Sequence, residues 1–170
     1  GLDRASRVEL AAMLERVAEE CTIVCSAHVP DDLPPVIARY IPIARGRIGA
    51  AVEHRAVAVA PSGAGAATKP TLVAPESGSG EPIIVLRDAN AWLAGRHVLR
   101  HVDWQLLPGQ SWLVTGANGS GKSTFLRMLH GQIRPALGGE LAWPGFGNPR
   151  NIWELRKSVA WLSPELQAAY

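Results

Sequence analysis

The sequence has few cysteines, few aromatic residues and little excess charge of either sign. Two cysteines in 170 residues exclude a disulfide-rich scaffold. A net charge of +2 gives no direct indication of nucleic-acid binding. No apolar run approaches the roughly 18 residues that a transmembrane helix needs. With 47% hydrophobic residues the chain is nevertheless too apolar to be disordered, and its length favours one globular domain.

Two asymmetries count against a single domain. All six tryptophans follow residue 91, and the chain begins at Gly1 with neither Met nor a signal-like segment. Residues 60–82 hold four prolines, four glycines and no aromatic residue, a composition typical of a linker. The alternative is a long surface loop, but structureless loops of more than about 15 residues are uncommon in compact domains. We therefore expect two pieces joined by a linker.

Before the linker, the pattern predicts a helix ending near Glu20 and strands over residues 21–27 and 40–44. A capping box beginning at Ser6 marks the start of the helix. Its expected buried stripe consists of Leu10, Leu14 and Val17. Pro42 counts against a central position for the second strand, because proline cannot donate to a sheet ladder.

After the linker, the pattern predicts strands, helices and turns in alternation. The predicted strands cover residues 82–92, 97–106, 111–115, 140–143 and 158–162, and the predicted helices cover residues 122–130 and 151–157.

The strongest chemical signal is the glycine-rich segment between the strand ending at Thr115 and the following helix. It fits the pattern G-x-x-x-x-G-K-[ST], which chance would produce in well under about one chain in a hundred of this length. Glycines let consecutive backbone N–H groups wrap a phosphate, and the helix directs its positive end at it. Lys122 adds a charge near the β- and γ-phosphates, and Ser123 offers a hydroxyl to Mg²⁺. The predicted nucleotide-binding residues are Gly116, Asn118, Gly119, Ser120, Gly121, Lys122, Ser123 and Thr124.

With its additional Gly119, this loop resembles that of the ATP-binding-cassette (ABC) ATPases. Residues 98–110 resemble the family's strand and turn before the loop, and residues 135–141 resemble the segment after its first helix. Trp92 stands where the family places an aromatic ring that stacks on adenine. The resemblance implies an α/β P-loop NTPase fold with an antiparallel β subdomain before the Walker A loop.

The beginning of the chain resembles the end of a cassette. Residues 1–7, with Asp3, resemble the family's D-loop, and Ser26-Ala27-His28 resembles its switch histidine, which reaches the γ-phosphate. Residues 45–48 resemble the turn after the next strand. The resemblance thus implies the end of a first nucleotide-binding domain over 1–56, a linker over 57–81 and the start of a second domain over 82–170.

That order resembles tandem ABC proteins, and residues 161–167 are most similar to the molybdate-transport-associated and photorepair types. Cassettes of this family pack head to tail. The resemblance therefore implies that Lys122 and Asp3 approach one composite site, while His28 serves the other site.

The sequence departs from the family pattern at the Q-loop. Pro164 stands where most members have a glutamine that contacts Mg²⁺, and Glu165 or Gln167 are the alternative ligands. The 170 residues also contain neither a Walker B Asp-Glu pair nor a signature motif. Without that glutamate there is no obvious general base, so we expect the segment to bind nucleotide weakly and to hydrolyse little.

The resemblance implies ATP and Mg²⁺ as cofactors, and Mg-dependent ATP hydrolysis coupled to transport in the complete protein. Its implied partners are the remainder of both cassettes and a membrane permease subunit, which places it in the cytoplasm or on the inner face of the membrane. A nucleotide-dependent regulatory or repair module without a permease is the alternative. A different P-loop enzyme such as a kinase explains neither Asp3 nor His28.

Two other residue pairs carry weaker signals. His97 and His101 share a face of a predicted strand, but no third metal ligand is evident. Cys21 and Cys25 are predicted to be buried thiols of a reducing cytosol.

Overall fold

The computed structural model describes residues 4–27, 37, 39–53, 80–149 and 151–160, with the side chains of residues 4–8, 10, 11 and 53 left aside. The elements before residue 54 are α1 Arg4–Glu20, β1 Val24–Ser26, β2 Arg39–Ala44, β3 Arg47–Ile48 and β4 Val52–Glu53. The later elements are β5 Ile84–Leu93, β6 Arg96–Leu106, β7 Trp112–Thr115, α2 Lys122–Leu129, β8 Glu140–Ala142, a 3₁₀ turn Pro144–Phe146 and α3 Ile152–Leu155. Among these residues, no helix combines the length and the apolar character needed to span a membrane.

Strand β7 lies between two strands from the other end of the sequence. It pairs in parallel with β1, with Cys25 opposite Leu113, and in parallel with β2, with Ile41 opposite Val114. The outer edge of β2 pairs antiparallel with β3 and β4. All four residues of β7 are buried, as expected for an apolar strand covered on both faces. The first part of the chain thus supplies both neighbours of the strand that leads into the glycine-rich loop.

A second sheet, with the order β6-β5-β8, is antiparallel throughout. Its long strands β5 and β6 meet at the turn Ala94-Gly95, and the register between them shifts at three places. Asp88 and His101 have positive φ angles of 42° and 48° in these irregular stretches. Such bulges redirect side chains at the rim of a sheet.

One hydrophobic core joins the two sheets and α2. It contains Ile41 and Ile43 of β2, Val114 of β7 and Phe125 of α2, each at most 1% exposed. The Trp104 ring meets the Phe125 ring edge-on at 5.2 Å, a favoured aromatic geometry. Because this core includes residues from both parts of the chain, it fixes the first part against the glycine-rich loop.

The structure corrects the prediction for the first helix. Helix α1 already includes Arg4, so Ser6 lies inside it and does not cap it. Val17, expected in the buried stripe, is 44% exposed, and the neighbouring Met13 is 58% exposed. The apolar spacing therefore does not produce a buried face among the described residues.

Pro42 lies in an interior strand, contrary to the sequence prediction. It pairs with Thr115 of β7 on one side, and its carbonyl accepts a 2.8 Å bond from the Gly49 N–H on the other. On that second side, β4 pairs with residues 39–40 and β3 with residues 43–44. Pro42 thus falls in the gap between two partners, where its missing N–H leaves no ladder bond unmade.

Two strand predictions are also wrong in extent. Residues 158–160 form no strand, because the N–H groups of Ser158 and Val159 both bond back to the Leu155 carbonyl. At the other end, Cys21 bonds to the Val17 carbonyl as the continuation of α1, and β1 begins only at Val24. Cys21 is consequently exposed, whereas Cys25 is half-buried.

Candidate nucleotide-binding site

The glycine-rich segment forms a tight loop, residues 116–121, between β7 and α2; we call it the phosphate loop. Gly116 has φ +145°, and a Cβ there would overlap the Ile43 carbonyl oxygen and lie 2.8 Å from Ser120 Oγ. Gly121 has φ +113°, and a Cβ there would lie 3.0 Å from Leu99 Cδ2. Both positions therefore require glycine, because the loop is pressed against β2 on one side and β6 on the other.

Helix α2 begins directly after this loop. Gly121 is its N-cap residue and no side chain caps it. Its buried face consists of Thr124, Phe125, Met128 and Leu129. The hydrophobic core thus holds the helix so that its first N–H groups and positive dipole end stand at the loop.

The Lys122 side chain folds back over the phosphate loop. Its Nζ donates to the Gly116 carbonyl at 2.7 Å and to the Ala117 carbonyl at 3.0 Å. These carbonyls are neutral acceptors, and a phosphate oxygen is a stronger partner for an ammonium group. The lysine is therefore already within reach of an anion that enters the loop.

Ser120 carries an unsatisfied polar group inside the loop. Ser120 is 7% exposed, and its hydroxyl has no hydrogen-bond partner within the described part of the chain. An unmade bond of this kind costs about 1–3 kcal/mol. This Oγ atom is covered and lies beside the position that a Cβ on Gly116 would take. The fit of the loop to a bound phosphate therefore rests on Lys122 and on the uncapped first turn of α2.

The remaining predicted loop residues divide by exposure. Asn118, Gly119 and Ser123 are exposed, whereas Thr124 is buried on the core side of α2. Ser123 is thus on the exposed side of α2, as a ligand for a divalent cation must be. Thr124 has a structural position in the helix, and its side chain faces away from solvent.

Trp92 lies near the end of β5 and is 57% exposed. Its ring stacks on the His97 ring with centroids 4.3 Å apart and planes 8° from parallel. His97 pairs with Trp92 across the hairpin, and it immediately precedes Val98, whose carbonyl lies beside Gly121. The stacking partner of Trp92 is therefore the direct neighbour in β6 of a residue that lies against the phosphate loop.

Asn90 forms hydrogen bonds with both His97 and His101. Its Oδ1 accepts from His97 Nε2 and from the His101 N–H, both at 3.0 Å. His101 Nδ1 is also paired with Asp88 Oδ1 at 2.6 Å. Within the described ranges, no group of three or more His, Cys, Asp or Glu side chains is arranged to hold a metal ion. The sequence offered no signal for the role of Asn90.

Two titratable side chains away from the loop have shifted pKa values. Burial raises the pKa of the Cys25 thiol to about 11, so this cysteine is a poor nucleophile at neutral pH. Burial, and secondarily the charge of Arg156, lowers the pKa of His130, while a backbone hydrogen bond with Val159 acts in the opposite direction. His130 follows the C-terminal end of α2.

Several predicted residues lie outside the described parts of the chain. These are Asp3, His28, Pro164, Glu165 and Gln167, and most of the predicted linker. The structure therefore brings together the phosphate loop, Lys122 and Ser123. The composite site and the Q-loop substitution stay predictions.

Comparison with known proteins agrees with this geometry. Residues 99–169 match the protein family described as ABC transporter. An uncharacterized ABC transporter ATP-binding protein of Schizosaccharomyces pombe is 27% identical over 98% of this chain and 36% of its own length. The ABC transporter ATP-binding protein ModF of Escherichia coli is 33% identical over 53% of this chain and 19% of its own length.

A third relative, a hemin import ATP-binding protein of Gloeobacter violaceus, is 52% identical over 27% of this chain and 17% of its own length. The chain thus spans little more than a third of the length of these relatives, or less. No solved structure matches the chain.

Proposed function

We propose, on the premise that residues 99–169 are part of an ABC transporter ATPase domain, that this chain binds Mg-ATP at the phosphate loop. The proposal rests on the hydrogen bonding of the phosphate loop. Lys122 Nζ is held by two loop carbonyls, and no side chain caps the first N–H groups of α2. Both groups become better satisfied when phosphate oxygens occupy the loop.

Each residue of the site has a defined task in this proposal. Lys122 exchanges its two carbonyl partners for phosphate oxygens, and the first N–H groups of α2 donate to the same anion. Ser123 is the residue that would hold Mg²⁺, which neutralises phosphate charge when bound. Trp92 offers its exposed ring surface to the adenine base.

The wider assignment is that the chain is an internal segment of a tandem ABC ATPase. Nearly the whole chain, including the predicted linker, aligns with about a third of the S. pombe relative. In this proposal residues 1–56 end a first nucleotide-binding domain and residues 82–170 begin a second, and the antiparallel sheet is the second domain's β subdomain. Within the 170-residue chain, the two pieces complete one parallel sheet between them. Asp3 and His28 then belong to the D-loop and the switch of the first domain.

The complete protein would hydrolyse ATP, and we propose that closure of its two cassettes drives transport through a separate permease at the inner face of the membrane. Support comes from the family match and from the hemin import relative. The present segment lacks the Asp-Glu pair that would activate water, so its own turnover should be slow.

The test is the dissociation constant for Mg-ATP of the 170-residue chain, measured by titration calorimetry before and after Lys122→Ala. Loss of a charge-assisted hydrogen bond costs about 1.5–3 kcal/mol, so we expect the affinity to fall by about ten- to a hundredfold. Lys157→Ala, at an exposed lysine after α3, is the control and should leave the affinity unchanged. Equal affinities for wild type and Lys122→Ala would refute the proposal.

A further inference from the structure

We propose that Gly46, in the first part of the chain, is a positioning residue for the phosphate loop. Nucleotide affinity would then depend on a turn that lies 70 residues before the loop in the sequence. This inference rests on the proposed function, because it concerns the same site. It adds a residue that the glycine-rich motif does not contain.

Gly46 is bonded on two sides through its backbone. Its N–H donates to the Ser120 carbonyl at 3.1 Å, and its own carbonyl accepts from the Arg100 N–H at 2.8 Å. Ser120 belongs to the phosphate loop and Arg100 to β6. The turn between β2 and β3 therefore connects the loop to the sheet that carries Trp92.

Only glycine can occupy this position. Gly46 is buried and has φ +78°. A Cβ there would collide with the Val98 carbonyl oxygen and lie 3.4 Å from Leu99 Cα. These neighbours are backbone atoms of β6, which cannot rotate away as a flexible side chain could.

The bond to Ser120 sets the direction of one peptide group in the loop. A trans peptide is planar, so its C=O and N–H point in opposite directions. When the Ser120 carbonyl faces Gly46, the Gly121 N–H is directed away from Gly46, to the side on which the proposed phosphate would be bound. The preceding strand β2 also contributes at the other end of the loop, where the Ile43 carbonyl lies against Gly116.

Gly46→Ala in the 170-residue chain tests this role, with Gly109→Ala as the matched control. Gly109 also has a positive φ, +71°, but a Cβ there would have nothing within 4 Å. We expect Gly46→Ala to weaken Mg-ATP binding at least fivefold and to leave the binding of adenosine, which has no phosphate, within twofold of wild type. Gly109→Ala should leave both affinities within twofold. Full Mg-ATP affinity in Gly46→Ala would overturn the inference.

Adenosine affinity, measured by tryptophan fluorescence, shows whether Gly46→Ala displaces only the phosphate loop or unfolds the chain. A variant that keeps its fold still binds adenosine. If Gly46→Ala loses both ligands, amide hydrogen exchange of the wild type decides the question. The Gly46 amide should then be protected and become at least tenfold slower to exchange with Mg-ATP bound, and an unchanged rate would overturn the inference. If the wild-type chain does not bind Mg-ATP, the proposed function is refuted. Failure of the Gly46 inference alone would leave Mg-ATP binding by the wild type intact.

Discussion

At the phosphate loop, two kinds of residue have different physical tasks. Gly116 and Gly121 contribute through the absence of a side chain, because any Cβ would meet neighbouring strands. Lys122 contributes an ammonium group that two loop carbonyls already hold in the free loop. Ligand binding must break the two lysine–carbonyl bonds. The net gain from the lysine is therefore smaller than the strength of its new contacts.

Trp92 is the residue at which base recognition can be tested without disturbing the fold. It is already more than half exposed, so Trp92→Ala removes little buried surface. Stacking contributes about 0.5–1.5 kcal/mol beyond area burial, so calorimetry should show Mg-ATP binding weakened by about two- to tenfold. Trp92→Phe should recover most of that loss.

Trp153→Ala is the control for that experiment. Trp153 is 69% exposed and has the Arg156 guanidinium 5.1 Å from its ring centroid, so its environment is similar. Unchanged affinity in Trp92→Ala, or an equal loss in Trp153→Ala, would contradict adenine stacking. His97, which covers part of the Trp92 ring, could not be assigned this contact from sequence, because the cross-strand pairing depends on bulges in β5.

Among the elements, helix α2 has two ends with different surroundings. Its first turn is uncapped and faces the phosphate loop, whereas its last turn is followed by the buried His130. His130 Nδ1 lies 3.1 Å from Gln132 Nε2, a donor, which suits a neutral imidazole. We therefore expect acid to act on the end of α2 that lies away from the phosphate loop.

Acidification should destabilise the protein through His130. Its pKa is lower in the folded state than the ordinary value near 6.5, so the unfolded chain takes up the proton first. Stability is thus fully present above about pH 6.5 and declines as the pH falls from there toward the folded pKa. Between pH 7.5 and 5.5, thermal unfolding should show a smaller decrease in Tm for His130→Gln than for wild type. Equal decreases would rule out this contribution.

The order of strand β7, phosphate loop and helix α2 could be predicted, because the sequence patterns that indicate it are local. A short apolar run, clustered glycines and helical spacing all lie within about twenty residues. The exposed Val17 and the interior Pro42 could not be predicted, since burial and pairing there depend on distant partners. No local pattern indicates that residues 41 and 114 pair in register.

At the scale of the whole molecule, the parallel sheet is built from both sides of the predicted linker. β1 and β2 come from residues before 54 and β7 from residues after 79. Both edges of β7 are therefore satisfied by the first part of the chain. Ile41 and Ile43 also enter the core that surrounds Phe125. Gly46 and Ile43 lie against the phosphate loop, so we expect the proposed nucleotide binding by the second part to depend on this association.

Cutting the linker should consequently leave the two parts associated. With a protease site inserted between residues 66 and 67, the cleaved chain should elute as one species in size-exclusion chromatography and separate only in denaturant. Ile41→Asp should separate the parts, because a buried unpaired carboxylate costs several kcal/mol. Val17→Asp, on the exposed side of α1, should not. Separation of the unsubstituted parts in native buffer would show that the main-chain pairing of β7 and the shared core do not hold them together.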